Sequence, residues 1–375
     1  MRLPSWWLKR NAISWFLWPA SLLFGLVVYI RYAFYRVGVF SAYKSRLPII
    51  IVGNLNVGGT GKTPLVIALV TELQKRGFRP AVITRGYKSK GKNYPLCVTS
   101  DTQADLCGDE PLLIARQTKC PVVVDPNRPR AVKFLEASNQ CDIIISDDGL
   151  QHYALQRDLE IVVVDSKRQF GNGFLLPAGM LREPVSRLKK VDMVVCNGDS
   201  RWCTRLYSKR LDFWLGGSER LEGVYTKYMT EEEQASNNVK NSSVKSIPQK
   251  NIFSMLFKIK QLTLLSDSSQ SIQIAQFKHK KVHAIAGIGN PEQFFVFLRS
   301  HELDIVPHSF PDHHPFTIDD FSFLNEQNLP VLMTEKDAVK CLGLLHDGWY
   351  VEIEAILPEV FYEEVLIKVE SRCRN

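Results

Sequence analysis

A glycine-rich segment near residue 55 has the composition and spacing of a phosphate-binding loop. Residues 53–64 read GNLNVGGTGKTP and lie between an apolar run and a stretch with helical periodicity. Backbone N–H groups in such a loop, at the start of a helix, can cradle phosphate oxygens. Lys62 is expected to reach the β- and γ-phosphates of ATP, and Thr63 to ligate Mg²⁺. The predicted nucleotide-binding residues are Asn56, Val57, Gly58, Gly59, Thr60, Gly61, Lys62 and Thr63.

Two details of this loop bear on the prediction. Asn56 stands where such loops usually have their first glycine, so an ordinary glycine-rich turn between strand and helix is the alternative. The Gly-Lys-Thr sequence in its strand–loop–helix context favours nucleotide binding. Val57 stands where membrane-associated ATPase switches with a related loop carry a second lysine. This residue argues against such a switch, which is the alternative function.

A second candidate site follows an apolar strand, where residues 142–152 read DIIISDDGLQH. A buried strand that ends in two carboxylates suits a Mg²⁺ site beside a phosphate loop. Asp147 and Asp148 are the predicted metal ligands, together with Thr63. Because successive side chains of a strand point to opposite faces, we expect only one of the two carboxylates to touch the ion. A turn or helix-capping role for Asp148 is the alternative.

The residues alone do not decide the role of Asp109 or of the adjacent histidines 313 and 314. Asp109, in the segment GDEP, lies at a boundary between a loop and a predicted helix, and taken alone it favours the role of an N-cap. The histidines, in the segment FPDHHPF, suit an exposed loop, an incomplete metal site or a group that tunes a general base.

Apolar strands that alternate with helices are the elements that would position these residues. Continuous β-branched runs of this kind are typical of a parallel sheet with helices on both faces. The pattern weakens near residue 217 and restarts at residue 282. We therefore predict an α/β fold with a P-loop NTPase-like parallel sheet domain and a smaller α/β domain. The predicted boundaries are 37–220 for the first domain, 221–280 for a β-stranded linker with a polar, disorder-prone insertion at 231–250, and 281–375 for the second domain.

Residues 11–30, NAISWFLWPASLLFGLVVYI, contain no charged side chain. Twenty helical residues cover about 30 Å, the thickness of the hydrocarbon core of a bilayer. Trp and Tyr near both ends suit the membrane interface. A cleaved signal peptide would show a small-residue cleavage site, and a buried core helix would not gather this many tryptophans and flanking arginines. We predict a membrane-anchoring helix over residues 1–36, which either crosses the bilayer or lies in its interface.

The net charge of +8 is concentrated at the N-terminus, because residues 1–50 hold seven basic residues and no acidic one. A nucleic-acid-binding protein usually carries its basic residues on a folded domain, so no nucleic-acid partner is predicted. Basic residues around an apolar stretch indicate a membrane surface with anionic lipids. None of the eight cysteines has zinc-finger spacing.

Eight segments, taken in order, resemble one enzyme family. Together with the N-terminal apolar stretch, they resemble the tetraacyldisaccharide 4′-kinases of lipid A assembly, over nearly the whole chain except about residues 225–280. The segments are GNLNVGGTGKTP (53–64), TRGY (84–87), GDEP (108–111), SDDGLQH (146–152), FGNGFLLPAGMLREP (170–184), AGIGNP (286–291), FPDHH (310–314) and TEKDAVK (334–340).

The resemblance implies a kinase at the cytoplasmic face of the bacterial inner membrane, without an obligate protein partner. It would transfer the γ-phosphoryl group of ATP to the 4′-hydroxyl of a tetraacyl glucosamine disaccharide 1-phosphate, forming lipid IVA in lipopolysaccharide biosynthesis. It implies two α/β/α domains that face a cleft. Asp109 would be the catalytic base, supported by His313 or alternatively by His314. The residues implied to line the cleft are Tyr87, Arg128, His152, Arg182 and Glu183.

Overall fold

A computed structural model describes residues 4–87, 89–198, 251–325, 329–345 and 347–373. The insertion predicted at 231–250, and the end of the predicted first domain at 199–220, lie outside these residues.

The apolar N-terminal segment forms three helices. Asn11 caps the second of them through the backbone N–H of Ser14. Pro19, in the first turn of the third, has no N–H to donate to Trp15, so the chain cannot continue as one helix through Leu17. The segment predicted as a membrane-anchoring helix is therefore divided into three helices. Among the described residues, no helix combines the length and the apolar character needed to cross a bilayer. The helices are α1 (Ser5–Leu8), α2 (Ala12–Phe16) and α3 (Trp18–Arg36).

Seven strands of the following region form one sheet in the order β7-β6-β1-β5-β2-β4-β3. All neighbours pair in parallel except β3, the antiparallel edge strand. Except for the partly exposed edge strand β3, the strands are short runs rich in Val and Ile that are buried on both faces, as a parallel sheet between two helical layers requires. Their bounds are β1 (Ile49–Gly53), β2 (Pro80–Thr84), β3 (Leu96–Val98), β4 (Val122–Val124), β5 (Ile143–Asp147), β6 (Leu159–Asp165) and β7 (Met193–Asn197).

Helices cover this sheet on both faces and enclose two apolar clusters. One cluster lies under α4 and α6, whose apolar residues recur at helical spacing, and the other lies under α7. The helix bounds are α4 (Lys62–Lys75), α5 (Ala104–Cys107), α6 (Asp109–Thr118) and α7 (Arg128–Ser138), with a 3₁₀ helix at Val185–Lys190.

Six further strands extend the same sheet in the order β11-β10-β12-β13-β8, with β9 paired to β8. The strands β11, β10, β12 and β13 pair in parallel with one another. Two smaller apolar clusters lie on its two faces. The bounds are β8 (Asn251–Leu264), β9 (Ser271–Ile272), β10 (Lys281–Ala286), β11 (Asp304–Ser309), β12 (Val331–Thr334) and β13 (Gly348–Ile356), with α8 (Pro291–Arg299), α9 (Glu335–Cys341), α10 (Glu359–Cys373) and 3₁₀ helices at Ile274–Phe277 and Ile318–Asn325.

Strand β8 belongs to both parts of the sheet. Its residues 251–255 pair in parallel with β7, and its residues 256–264 pair antiparallel with β13. We call β1–β7 with α4–α7 and α10 the first lobe, and β9–β13 with α8 and α9 the second lobe. Helix α10 is assigned to the first lobe because Phe361, Val365 and Val369 lie in its apolar cluster. The last helix, which lies within the range predicted for the second domain (281–375), thus contributes to the apolar cluster of the first lobe.

Candidate functional site

The loop between β1 and α4 is shaped by two glycines in the left-handed region and by one buried asparagine. Gly58 and Gly61 have φ values of 100° and 93°, which other residues rarely adopt. The side-chain amide of Asn54 donates to the carbonyl of Gly58 at 3.2 Å and to the hydroxyl of Thr60 at 3.1 Å. These bonds hold the loop curved around the start of α4, so the amides of its glycines lie at a helix N-terminus.

The last residue of β7, Asn197, contacts the loop on its other side. The amide of Asn197 donates to the carbonyl of Thr60 at 3.1 Å, and a Cβ atom on Gly61 would lie only 2.8 Å from that amide nitrogen. Glycine is therefore required at position 61 by both conformation and space.

Asn56 and Val57 anchor the loop rather than extend its phosphate-binding surface. The side-chain amide of Asn56 donates to the carbonyl of Gln169, and the N–H of Val57 donates to the carbonyl of Met180 at 2.8 Å. A phosphate cannot use an N–H group that is already bonded to protein. The side chain of Asn56 and the N–H of Val57 are therefore engaged within the protein, whereas the binding role of the whole segment 56–63 stays a prediction.

Lys62 and the paired aspartates meet at the carboxyl edge of β1 and β5, which are neighbours in the sheet. The ammonium group of Lys62 lies 3.5 Å from Oδ1 of Asp148. Arg182 approaches the same carboxylate with both terminal nitrogens, at 2.9 and 3.2 Å. Burial alone would raise the pKa of Asp148, but Lys62 and Arg182 outweigh it and hold that pKa well below its usual range.

Asp147 occupies a very different environment. Its residue is only 5% exposed, and its Oδ1 atom has no hydrogen-bond partner among the described residues. Burial raises the pKa of this carboxyl to about 6, against the opposing attraction of Lys62. Asp148 has a φ of 48°, so it is the turn residue of the pair, as the alternative interpretation proposed. A buried oxygen without a partner, beside a phosphate loop, is suited to a metal ion.

The donor set fits Mg²⁺ bound jointly by protein and phosphate. In the part of the chain that the structure describes, no three or more His, Cys, Asp or Glu residues form a complete metal cluster. Mg²⁺ does not require one, because it usually takes one or two carboxylates and completes its shell with substrate phosphates and water. Asp147, Asp148 and the hydroxyl of Thr63 provide oxygen donors of this kind.

Asp109 and His313 form a second centre, built from both lobes. Asp109 is the first residue of α6 and is 7% exposed. Its Oδ2 atom lies 2.9 Å from Nδ1 of His313, which is 204 residues away in the chain. His313 has a φ of 62°, a costly conformation for a non-glycine residue and one that is frequent at functional sites. His314 points elsewhere, with Nε2 3.1 Å from Asp320, so the geometry selects His313.

The two centres face one another where the lobes meet. A Cβ atom on Gly289, in the loop after β10, would lie 3.8 Å from the backbone nitrogen of Gly59 and 3.5 Å from a carboxylate oxygen of Asp312. Asp312 directly precedes His313. The base centre therefore lies across the cleft from the phosphate loop.

The five predicted cleft residues fall into two groups. Tyr87 places its ring edge-on to His313, with 5.5 Å between ring centroids, and Arg182 contacts Asp148 as described above. Glu183 instead lies in a buried network, where it accepts from the hydroxyl of Tyr153 at 2.7 Å and pairs with Arg187. The structure therefore does not place Glu183 on the open cleft.

Arg128 and His152 line a separate cavity of about 390 Å³ beside β5. The guanidinium of Arg128 donates to the backbone carbonyl of Asp147 at 2.6 Å, and burial lowers its pKa to about 10. Burial also lowers the pKa of His152, to about 4. Arg128 thus supports the metal site from behind.

Sequence patterns did not reveal several residues of the site. Asn54 and Asn197 hold the loop only through hydrogen bonds that depend on the folded sheet. Arg168 contacts the carbonyl of Gly59 and is held by Asp165 at 3.1 Å. Lys336 and Lys340 approach the Asp109–His313 pair. Both lie in the segment TEKDAVK, and its place among the eight family-like segments is the feature of the sequence that could have indicated a role in the site.

A strand–loop–helix phosphate site, paired carboxylates and a facing acid–histidine pair define a phosphate-binding α/β protein equipped for phosphoryl transfer. The family model described as tetraacyldisaccharide-1-P 4′-kinase matches residues 13–370. The chain belongs to this family.

Individual relatives agree with the family match. The chain is 42% identical to a tetraacyldisaccharide 4′-kinase of Nitrosococcus oceani, over 99% of this chain and 95% of that one. It is 41% identical to the protein of that name from Haemophilus influenzae, over 98% and 94%. The crystal structure of LpxK from Aquifex aeolicus in complex with ATP superposes with a TM-score of 0.70 at 26% identity, over 96% of this chain and 98% of that one.

Proposed function

We propose that the protein is a lipid A 4′-kinase, which transfers the γ-phosphoryl group of ATP to the 4′-hydroxyl of a tetraacyl glucosamine disaccharide 1-phosphate. The observation that carries this proposal is the position of the Asp109–His313 pair across the cleft from the phosphate loop. A kinase must hold an acceptor hydroxyl between a base and the γ-phosphoryl group, and this arrangement provides both sides. Family membership supports the choice of acceptor.

The residues of the first lobe position the nucleotide and offset its charge. The amides of Gly58–Thr63 and the ammonium group of Lys62 bind the phosphates, and Lys62 is free to exchange its contact with Asp148 for one with phosphate. Phosphoryl transfer depends mainly on such positioning and charge neutralisation. Asp147, Asp148 and Thr63 would hold Mg²⁺. When bound, this ion neutralises charge that develops on the phosphoryl oxygens.

The residues of the second centre act on the acceptor. Asp109 accepts the proton of the 4′-hydroxyl as the hydroxyl oxygen bonds to the γ-phosphorus of ATP. The bond from that phosphorus to the β,γ-bridging oxygen breaks, and ADP is the leaving group. His313 orients the carboxylate of Asp109 through Oδ2. Base assistance of this kind contributes about 10²- to 10⁴-fold to rate. Contact between the lobes excludes water from the cleft and so limits hydrolysis of ATP.

The proposed function includes binding to the membrane surface through α3. Ser21, on the side of α3 that faces the protein, donates to the carbonyl of Leu175 at 2.8 Å and is 3% exposed. The opposite side is apolar and open to solvent, the reverse of a soluble amphipathic helix. Its exposed large residues are Leu22, Leu23, Leu26, Val27, Ile30 and Phe34.

This apolar side suits a helix that lies in the membrane interface at the cytoplasmic face of the inner membrane. The acyl chains of the substrate then stay in the bilayer, since extraction costs about 0.8 kcal/mol for each CH₂ group. The basic residues of the N-terminal segment add attraction for anionic lipids.

A phosphoryl-transfer assay tests the kinase proposal. Purified protein in mixed micelles is incubated with γ-labelled ATP, Mg²⁺ and the tetraacyl disaccharide 1-phosphate. Lys62→Ala is the inactive control, and Lys75→Ala, an exposed lysine at the other end of α4, is its matched control. We expect label in the lipid with the wild type and Lys75→Ala only. Label released solely as free phosphate, with or without lipid, would replace the kinase by an ATPase switch.

Vesicle flotation tests the membrane proposal separately. We expect the wild type to float with vesicles of phosphatidylglycerol and phosphatidylethanolamine, and Val27→Glu to remain unbound. Ile367→Glu, at an equally exposed apolar residue of α10, is the control that should still float. Binding that survives Val27→Glu would remove α3 from this role.

A further inference from the structure

Helix α9 brings a buried lysine against the catalytic histidine. The ammonium group of Lys336 lies 3.4 Å from Nε2 of His313, 2.6 Å from Oε1 of Glu110 and 3.3 Å from Oδ1 of Asp312. Its side chain is 18% exposed. Glu110 belongs to the first lobe, so Lys336 reaches across the cleft to make these contacts.

The helix that carries Lys336 is fixed to the second lobe. Thr334 donates through its hydroxyl to Oδ2 of Asp337 at 2.6 Å, and the backbone N–H of Gly287 donates to the same oxygen at 2.8 Å. Asp337 is fully buried. Because α9 is anchored in this way, the position of Lys336 relative to His313 is set by the fold.

This contact and the carboxylate of Asp109 favour the same tautomer of His313. An ammonium group has donors and no acceptor, so a ring nitrogen that accepts from it presents a lone pair. When Nε2 accepts from Lys336, the proton of the neutral ring lies on Nδ1. Nδ1–H then donates to Oδ2 of Asp109, which leaves that carboxylate ionised.

We infer that Lys336 is a positioning residue for phosphoryl transfer, which selects the Nδ1–H tautomer of His313 and opposes its protonation, so that Asp109 remains an ionised base. This inference rests on the proposed function, since it assigns the role of base to Asp109. Lys336 acts through His313 and does not touch the reacting atoms.

The charges around His313 show why such a residue is needed. Three carboxylates face the ring, from Asp109 at Nδ1 and from Glu110 and Asp312, each 3.8 Å from Nε2. Together they favour an imidazolium ion, which would share its proton with Asp109. The ring of Tyr87 lies edge-on to that of His313. Lys336 is the cation that contacts the ring directly and opposes this effect.

Lys336 stays charged in this position. Burial by itself would lower its pKa, but Glu110 and Asp312 outweigh burial and raise that pKa well above its ordinary value. A second cation, Lys340, lies 3.9 Å from Oδ2 of Asp109 and is held by Asp337 at 2.8 Å. It supports the carboxylate, whereas Lys336 supports the histidine.

Histidine side-chain ¹⁵N spectra of the full chain test the inference without reference to kinase activity. The signals of His313 are assigned by their absence in His313→Gln. In the wild type we expect Nδ1 protonated and Nε2 unprotonated at neutral pH. In Lys336→Met, the doubly protonated ring of His313 should appear at higher pH than in the wild type, because a contacting positive charge has been removed. A wild-type Nε2–H tautomer, or a titration unchanged in Lys336→Met, would overturn the inference.

The pH dependence of phosphoryl transfer provides the second readout. The acidic limb of the kcat profile should move to higher pH in Lys336→Met, while KM for ATP stays within twofold. Lys336→Arg should restore the wild-type limb, because a guanidinium group also has donors only. Lys278→Met, which removes an exposed ion pair with Glu302, is the matched control and should change neither. An equal loss of kcat at every pH, with normal His313 spectra, would assign Lys336 a purely structural role.

The two readouts separate the inference from the proposed function. If Asp109→Asn retains full transfer, the base role fails, while the ¹⁵N spectra still report whether Lys336 sets the tautomer.

Discussion

The cleft holds two charged centres that are built in opposite ways. The phosphate centre, with Lys62 and the Asp147–Asp148 pair, lies entirely in the first lobe, on two adjacent parallel strands. The base centre joins Asp109 of the first lobe to His313 and Lys336 of the second. The first is part of the sheet and persists whatever the second lobe does. The second exists only while the lobes are in contact.

This difference separates nucleotide binding from transfer. A defect in the phosphate centre removes charge compensation that every step needs. A defect in the base centre leaves a protein that still binds nucleotide. The following predictions test that separation, in order of decreasing effect.

Lys62→Ala should cause the largest loss. Removal of a cation that is aimed at the transferred group costs about 10²- to 10³-fold in kcat, and weaker ATP binding adds to this loss in kcat/KM. Transfer of labelled phosphate and equilibrium ATP binding are the measurements. ATP affinity equal to that of Lys75→Ala would contradict the placement of Lys62 on the phosphates.

Asp109→Asn should lower kcat by about 10²- to 10⁴-fold, because the acceptor hydroxyl loses its base. ATP binding should stay within twofold of wild type, which distinguishes this variant from Lys62→Ala. Asp105→Asn is the matched control. Asp105 is an exposed residue of the neighbouring helix α5, and its carboxylate pairs with Lys90. If Asp109→Asn weakens ATP binding as much as Lys62→Ala does, the two centres are not separable.

Within the phosphate centre, Asp147→Asn should stabilise the metal-free protein. The pKa of Asp147 is raised from 3.8 to about 6, so the wild type loses stability as pH rises through this interval and keeps a buried charge above it. The variant should therefore be more stable at pH 8 by about 2–3 kcal/mol, and the difference should vanish near pH 4. Denaturant unfolding with a chelator present measures this. A lower stability at pH 8 would contradict the assigned environment.

Asp148→Asn should have the opposite sign. The pKa of Asp148 is held below its usual range, because the folded protein stabilises the charged carboxylate. This carboxylate therefore contributes to folding stability at neutral pH, and the contribution is lost only as pH falls through the lowered pKa. The variant leaves Lys62 and Arg182 without their carboxylate and should unfold at lower denaturant than wild type at pH 8. The same unfolding experiment checks it, and a gain in stability would show that the two aspartates are equivalent.

The smallest expected effect concerns contact between the lobes. Glu335 of α9 accepts from the side-chain amide of Gln117 of α6, and burial raises the pKa of this glutamate to about 7. Its charged form is disfavoured in the folded state, so stability falls as pH rises from about 4.5 to 7. In denaturant unfolding, Glu335→Gln should match wild type near pH 4 and be more stable at pH 8 by about 1–2 kcal/mol, less than the full pKa shift implies because the residue is only half-buried. An equal difference at both pH values would contradict the assigned titration.

The residues of the phosphate centre could be predicted from the sequence because they lie in short continuous motifs. The Gly-Lys-Thr sequence and the Asp-Asp pair each follow a buried strand, and parallel strands bring their carboxyl ends to one edge. The base centre was not predictable from local pattern, because Asp109 and His313 meet only through packing of the lobes. The resemblance to a family supplied that pair, and it supplied no role for Lys336.

Two differences between the predicted organisation and the structure have a physical reason of the same kind. The apolar composition of residues 11–30 favoured one helix, while the missing N–H of Pro19 decided the break at Leu17. Chain order favoured a second domain that runs to the C-terminus, while α10 packs in the first. The sequence of an amphipathic helix predicts that the helix has an apolar side, but it does not predict which surface of the protein that side will contact.

The position of α10 has a consequence for synthesis of the protein. Phe361 packs against Phe253 with 5.2 Å between ring centroids, and Arg372 pairs with Asp158 at 2.9 Å. The first lobe contains the earliest strands of the chain, yet its apolar cluster is closed by a helix that follows the whole second lobe in sequence. Domains usually fold in the order of their synthesis. Here the core of the nucleotide-binding half stays incomplete until residues 359–373 have left the ribosome. A nascent chain stalled before residue 359 would therefore carry every kinase motif and still lack a finished fold.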